Sequence, residues 1–98
     1  MKHVRYQSGG NTIGLEYEID DYWEIADDGY VARSIHVHPD GSRLKYDRQH
    51  AADRFGVLPE GIITDEMLAD RTTGQTTLLT ATEFDAQWAI RGKNESAA

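Results

Sequence analysis

Residues 27–41, DDGYVARSIHVHPDG, decide the fold. Asp28-Gly29 ahead of an alternating run is a hairpin signal, because both residues tolerate the positive φ that a two-residue turn requires. The run that follows has period two. Val31, Arg33, Ile35 and Val37 face one way, Ala32, Ser34, His36 and His38 the other, and the first set reads as the core face. Pro39-Asp40-Gly41 supplies a second turn, after which Leu44 and Tyr46 continue the meander. Two hairpins sharing one strand are therefore expected, and with them an antiparallel sheet.

Working outward toward the N-terminus, Val4 and Tyr6 alternate with His3, Arg5 and Gln7 before SGGN at 8–11 breaks the run. Leu15, Tyr17 and Ile19 alternate with Glu16 and Glu18 in a second strand. Asp20-Asp21 interrupts it on this reading, and Tyr22 to Ala26 resumes extended structure. Toward the C-terminus, residues 47–61 are irregular. Thr64 is a good helix N-cap with Asp65 and Glu66 where the helix dipole favours negative charge, so a short helix is predicted over Thr64 to Asp70. Thr76 to Leu79 has the content of a brief strand. Thr80 with Glu83 forms a capping box, with Thr82 and Asp85 as an alternative, and opens a helix from about Ala81 to Arg91. Ala81, Phe84 and Trp88 form its apolar stripe and Gly92 its stop. Strands followed by helices imply an α+β fold: an antiparallel meander of about four strands, packed by the C-terminal helix, with a short extra helix. Residues 1–92 read as one domain and 93–98 as a mobile polar tail.

The 98 residues include no cysteine, which removes disulfides, zinc ribbons and thiol catalysis and fits a reducing compartment. MKHVRYQSGG lacks the apolar stretch of a secretion signal, and no segment approaches the roughly 18 apolar residues of a membrane span. The expected location is the cytoplasm. Of the net charge of −7, the placement matters more than the size. Between Tyr6 and Ala32 stand Glu16, Glu18, Asp20, Asp21, Glu24, Asp27 and Asp28 with no Lys or Arg, followed closely by Arg33, Arg43, Lys45, Arg48 and Arg54. A basic face for nucleic acid is excluded on this balance.

DDGYVARSIHVHPDG, Tyr46 and the closing TATEFDAQWA resemble a small bacterial single-domain family of unknown function, over about Tyr17 to Ala89. The resemblance implies the same length and hairpin pattern, and supplies neither activity nor catalytic residues. Its pattern carries other residues where His36 and His38 stand, which counts against an inherited metal site.

His36-Val37-His38 is the only pair with metal-ligand spacing: both imidazoles leave the same face of a strand, and His50, Asp40 or Asp47 would have to complete a sphere. Two exposed polar residues on a strand are the simpler reading. Asp20-Asp21 and Asp27-Asp28 read as solvated turn residues, and neither has calcium-loop spacing. TTGQTT at 72–77 lacks the Lys and Gly spacing of a phosphate loop, and no serine sits in a nucleophile elbow. No catalytic residue and no cofactor is expected. What remains is an acidic segment interleaved with Tyr17, Tyr22, Trp23 and Tyr30, a combination suited to a basic partner: rings give desolvated contact and carboxylates give steering. The expected function is a non-enzymatic inhibitory binding protein, of the immunity-protein or antitoxin kind, using Glu16, Glu18, Asp20, Asp21, Tyr22, Glu24, Asp27 and Asp28 to mask a basic protein such as a toxin or a nucleic-acid-binding protein. Two alternatives are a phage-encoded inhibitor mimicking nucleic acid against a guided defence complex, and a metal-dependent enzyme using His36 and His38.

Overall fold

Five antiparallel strands form one sheet in the order β4-β3-β2-β1-β5, with β1 at Lys2–Ser8, β2 at Ile19–Ile25, β3 at Val31–Val37, β4 at Arg43–Asp47 and β5 at Gln75–Leu79. Two short helices complete an α+β fold, α1 at Asp65–Ala69 and α2 at Ala81–Trp88. The structure is a computed structural model, which describes residues 1–8, 19–69 and 74–94. The sheet has one strand more than the meander of four, because β5 returns to pair with the outer edge of β1. No helix among the described residues is long and apolar enough to cross a membrane.

Both turns of the opening stretch form, each one residue longer than a two-residue turn. The amide of Ala26 donates to the Tyr30 carbonyl and that of His38 to the Ser42 carbonyl, so each loop has three residues and ends on a glycine. Gly29 and Gly41 both adopt φ +89°, the left-handed region that L side chains avoid. At Gly29 a Cβ would also lie 2.5 Å from Ile62 Cγ2, so this turn is held against the 58–64 segment.

Register sets what each face carries. Asp20-Asp21 does not interrupt β2, which runs unbroken through both because each carboxylate has a partner on a neighbouring strand. The predicted core face of β3 needs one correction. A bulge opposite Glu24/Ile25 leaves Val31 paired with Ile25, so Val31 packs with Leu44, Tyr46 and Leu58, away from Ile35. Ile35 instead joins Tyr22 and the fully buried Phe84 beneath α2, with Val37, Leu79 and Trp88 around them. The sheet therefore has apolar cover on both faces, from α2 on one and from the segment carrying Leu58 and Ile63 on the other.

Each helix begins at its predicted cap. Thr64 Oγ1 accepts from the amide of Met67, and Thr80 with Glu83 makes both bonds of a capping box. α2 ends at Trp88, three residues before Arg91, and Ala81 is exposed, so its stripe reduces to Phe84 and Trp88. The helix has no basic residue in its last turn, and β4 supplies the cations. Lys45 Nζ donates to the carbonyls of Trp88 and Ile90, and Arg43 to the carbonyl and side chain of Gln87. These positive groups meet the negative end of the helix dipole. Lys93 and Asn94, read from sequence as the start of a free tail, lie along β4 instead: the Lys93 amide donates to the Arg43 carbonyl, and the Asn94 amide side chain both accepts from the Lys45 N–H and donates to the Lys45 carbonyl.

Candidate functional site

The alternation of β2 divides the acidic stretch. Asp20, Tyr22 and Glu24 lie on the face under α2, Trp23 and Asp21 on the other. Arg5 grips both oxygens of Asp20 at 2.9 and 2.8 Å and lies over the Tyr22 ring. Glu24 accepts two bonds from Arg33 at 2.9 and 2.6 Å and one contact from His3 Nε2 at 3.0 Å. The Arg33 guanidinium, in turn, binds Asp85 of α2 and lies over the rings of Phe84 and Trp88. Bonding to Arg33, ahead of the opposing effect of burial, holds Glu24 below the usual carboxylate range, and the same pairing holds Arg33 above its own. These acids are counter-charges inside the fold. Tyr22 is 7% and Glu24 8% exposed, so neither is available to a partner.

Across the sheet, Asp21 meets His36, Oδ1 lying 2.5 Å from Nδ1. That bond raises the imidazole above its usual range against the lowering effect of burial. His38 presses edge-on against the His36 ring at 4.7 Å and is pushed down, first by burial and then by its neighbour. Both histidines border a cavity of about 260 Å³ with Trp23, Tyr46 and Val57 among its walls. His36 and His38 do come together as predicted, yet Nδ1 of His36 is committed to Asp21. Among the described residues no group of three His, Asp or Glu side chains stands close enough to hold a metal.

Sequence reasoning passed over Asp53. Its carboxylate accepts from Tyr46 Oη, Asn94 Nδ2 and the amides of Phe55 and Gly56, and lies 2.8 Å from His50 Nε2. Burial would raise its pKa, but these bonds outweigh burial and hold it far below the usual value. Burial and Asp53 together push the Tyr46 phenol up. The hub ties residues 50–56 and 94 to β4. Its signal in sequence was an Asp three residues after a His and two before a Phe-Gly, which points to a turn and not to the distant partners.

Of the predicted partner-binding acids, Glu16 and Glu18 lie outside the described residues. Asp27 and Asp28 stand in the β2–β3 loop, where the Asp27 side chain is 96% exposed beside the N-terminal ammonium. Around them the chain builds a surface that the sequence did not foretell. Tyr30 bridges to Ile62, and the Ile63 amide donates to the Gly29 carbonyl, bringing the 60–66 segment against this loop. Tyr30 is 47% and Ile62 50% exposed, and a cleft of about 600 Å³ runs past Ile62, edged by Met1, Lys2, Asp27, Asp28 and Asp65, with Lys2 paired to Asp65.

Compared with protein families, curated proteins and solved structures, the chain matches none.

Proposed function

We propose that the chain is a non-catalytic domain that binds a basic protein partner, as an immunity protein or antitoxin does, through the end of the sheet where the β2–β3 loop meets residues 60–66. The observation that carries this reading is the exposed Tyr30–Ile62 pair, with Ile62 bordering a cleft whose edge also carries Asp27, Asp28 and Asp65. A central apolar and aromatic contact lined by carboxylates offers both anchor and steering to a cationic surface. Of the eight residues expected from sequence, this reading rests on Asp27 and Asp28. Asp20, Asp21 and Glu24 are engaged by Arg5, His36 and Arg33, whereas Asp27 and Asp65 lie in solvent-exposed ion pairs with the N-terminal ammonium and Lys2 that a cationic partner can displace.

The test is binding of the purified chain to the products of neighbouring genes, followed by titration calorimetry at low and high salt. The wild type binds one of them, and the triple substitution Asp27→Lys, Asp28→Lys, Tyr30→Ala weakens binding by roughly a hundredfold, as expected for one aromatic anchor and two rim charges. Undiminished affinity in that variant would remove this surface from the interface. Whether the bound neighbour is a toxin or a component of a defence complex distinguishes the host-encoded from the phage-encoded form of the same inhibitory reading.

A further inference from the structure

The two edges of the sheet are treated differently. β4 carries Arg43, Lys45 and Asp47, and its outer backbone is covered by Lys93 and Asn94. Among the described residues β5, QTTLL, is the only strand without a charged side chain, and the sequence has none from 72 to 82. Among the described residues, its only strand partner is β1, and no backbone bond from elsewhere reaches its outer edge. It contains no proline, and its register with β1 runs unbroken over five pairs. Leu78, on the same face as Val4 and Trp23, is 71% exposed. Charges, bulges and prolines keep an edge strand from pairing, and β5 has none of them; α1 packs near it, but among the described residues no hydrogen bond from α1 or any loop occupies its outer backbone.

We infer that β5 is a self-association edge that pairs antiparallel with β5 of a second copy of this chain, making one continuous sheet of ten strands. The strand is self-complementary about a two-fold axis at Thr77. That axis sets Thr77 against Thr77, Thr76 against Leu78 and Gln75 against Leu79, so the exposed Leu78 meets a β-branched side chain, and the half-buried Leu79 an amide, on its own face of the sheet. No charge is buried or opposed in this register. The other strands of the chain each carry at least one charged side chain, so β5 itself is the uncharged strand this molecule offers to its own bare edge. Five residues of pairing form a small interface, which places the dimer in the weak class. Each copy has a net charge of −7, so the association strengthens as salt screens the bodies from one another.

Sedimentation velocity of the full chain alone, from low micromolar to near-millimolar concentration at two salt levels, tests this. Wild type moves from monomer toward dimer with concentration, more so at high salt. Leu78→Lys weakens the dimer at least roughly tenfold by placing an ammonium on the paired edge. Because Leu78 is exposed, that variant keeps the wild-type circular dichroism and melting curve. A wild type that stays monomeric throughout, or a folded Leu78→Lys variant that dimerises equally well, overturns the proposal. The partner-binding reading predicts the opposite response to salt and is tested on other residues, so either can fail without the other.

Discussion

Glu24 shows how a carboxylate in an acidic segment can belong to the core. Its three bonds to Arg33 and His3 lie beneath α2, and removing it leaves the guanidinium over Phe84 and Trp88 with Asp85 as its remaining carboxylate. Glu24→Ala is expected to cost about 2 kcal/mol, read from urea unfolding, since Arg33 loses its two charge-assisted bonds to Glu24 and keeps only the one to Asp85. The Asp21–His36 pair predicts a pH dependence of definite sign. The folded pKa of His36 is raised, so the pair's stabilisation is complete below the unfolded value of about 6.5 and is lost as pH rises through the folded value. His38 is shifted the other way, and its contribution is present above that value and lost as pH falls. The stability difference between wild type and Asp21→Asn should therefore be larger at pH 6 than at pH 8, when unfolding is measured across about that range. A difference that is flat, or that grows with pH, would mean the 2.5 Å contact does not hold the imidazolium.

The elements divide into those that sequence specifies locally and those that need distant partners. Hairpin turns and helix caps belong to the first kind, because one glycine or one threonine is sufficient to set them. Thr80→Ala should accordingly cost about 1 kcal/mol through the lost cap of α2, seen in thermal unfolding. Gly29→Ala should cost more, because it combines a left-handed backbone with a Cβ that runs into Ile62. The pairing of the fifth strand, itself expected at Thr76 to Leu79, and the course of residues 47–61 belong to the second kind. QTTLL is short and has no alternation to announce which edge it joins, and the middle segment is ordered by one Asp53 carboxylate that gathers groups up to 41 positions away. The face of Val31 was likewise not legible, since a bulge shifts parity without leaving a residue-type signature. Nor did charge counting reveal the site, because alternation along β2 sends Asp20 and Asp21 to opposite faces, each toward its own cation. Of the proposed surface, the sequence named the loop acids Asp27 and Asp28, while its apolar half is Ile62, more than thirty residues on.

At the scale of the whole molecule, the net charge of −7 is unevenly employed. Cations from β1, β3 and β4 are spent on the sheet acids and on the end of α2, which leaves the β2–β3 loop and the start of α1 with weakly held carboxylates. The central claim is that the acids fall into two classes, those holding the fold and those facing outward. It is tested most directly by urea unfolding of Glu24→Lys beside the double substitution Asp27→Lys, Asp65→Lys. Both end loops lie in exposed ion pairs, so the double variant should remain within about 1 kcal/mol of wild type, while Glu24→Lys loses at least about 3 kcal/mol or fails to fold. Equal losses in the two proteins, or a Glu24→Lys variant as stable as wild type, would contradict the division.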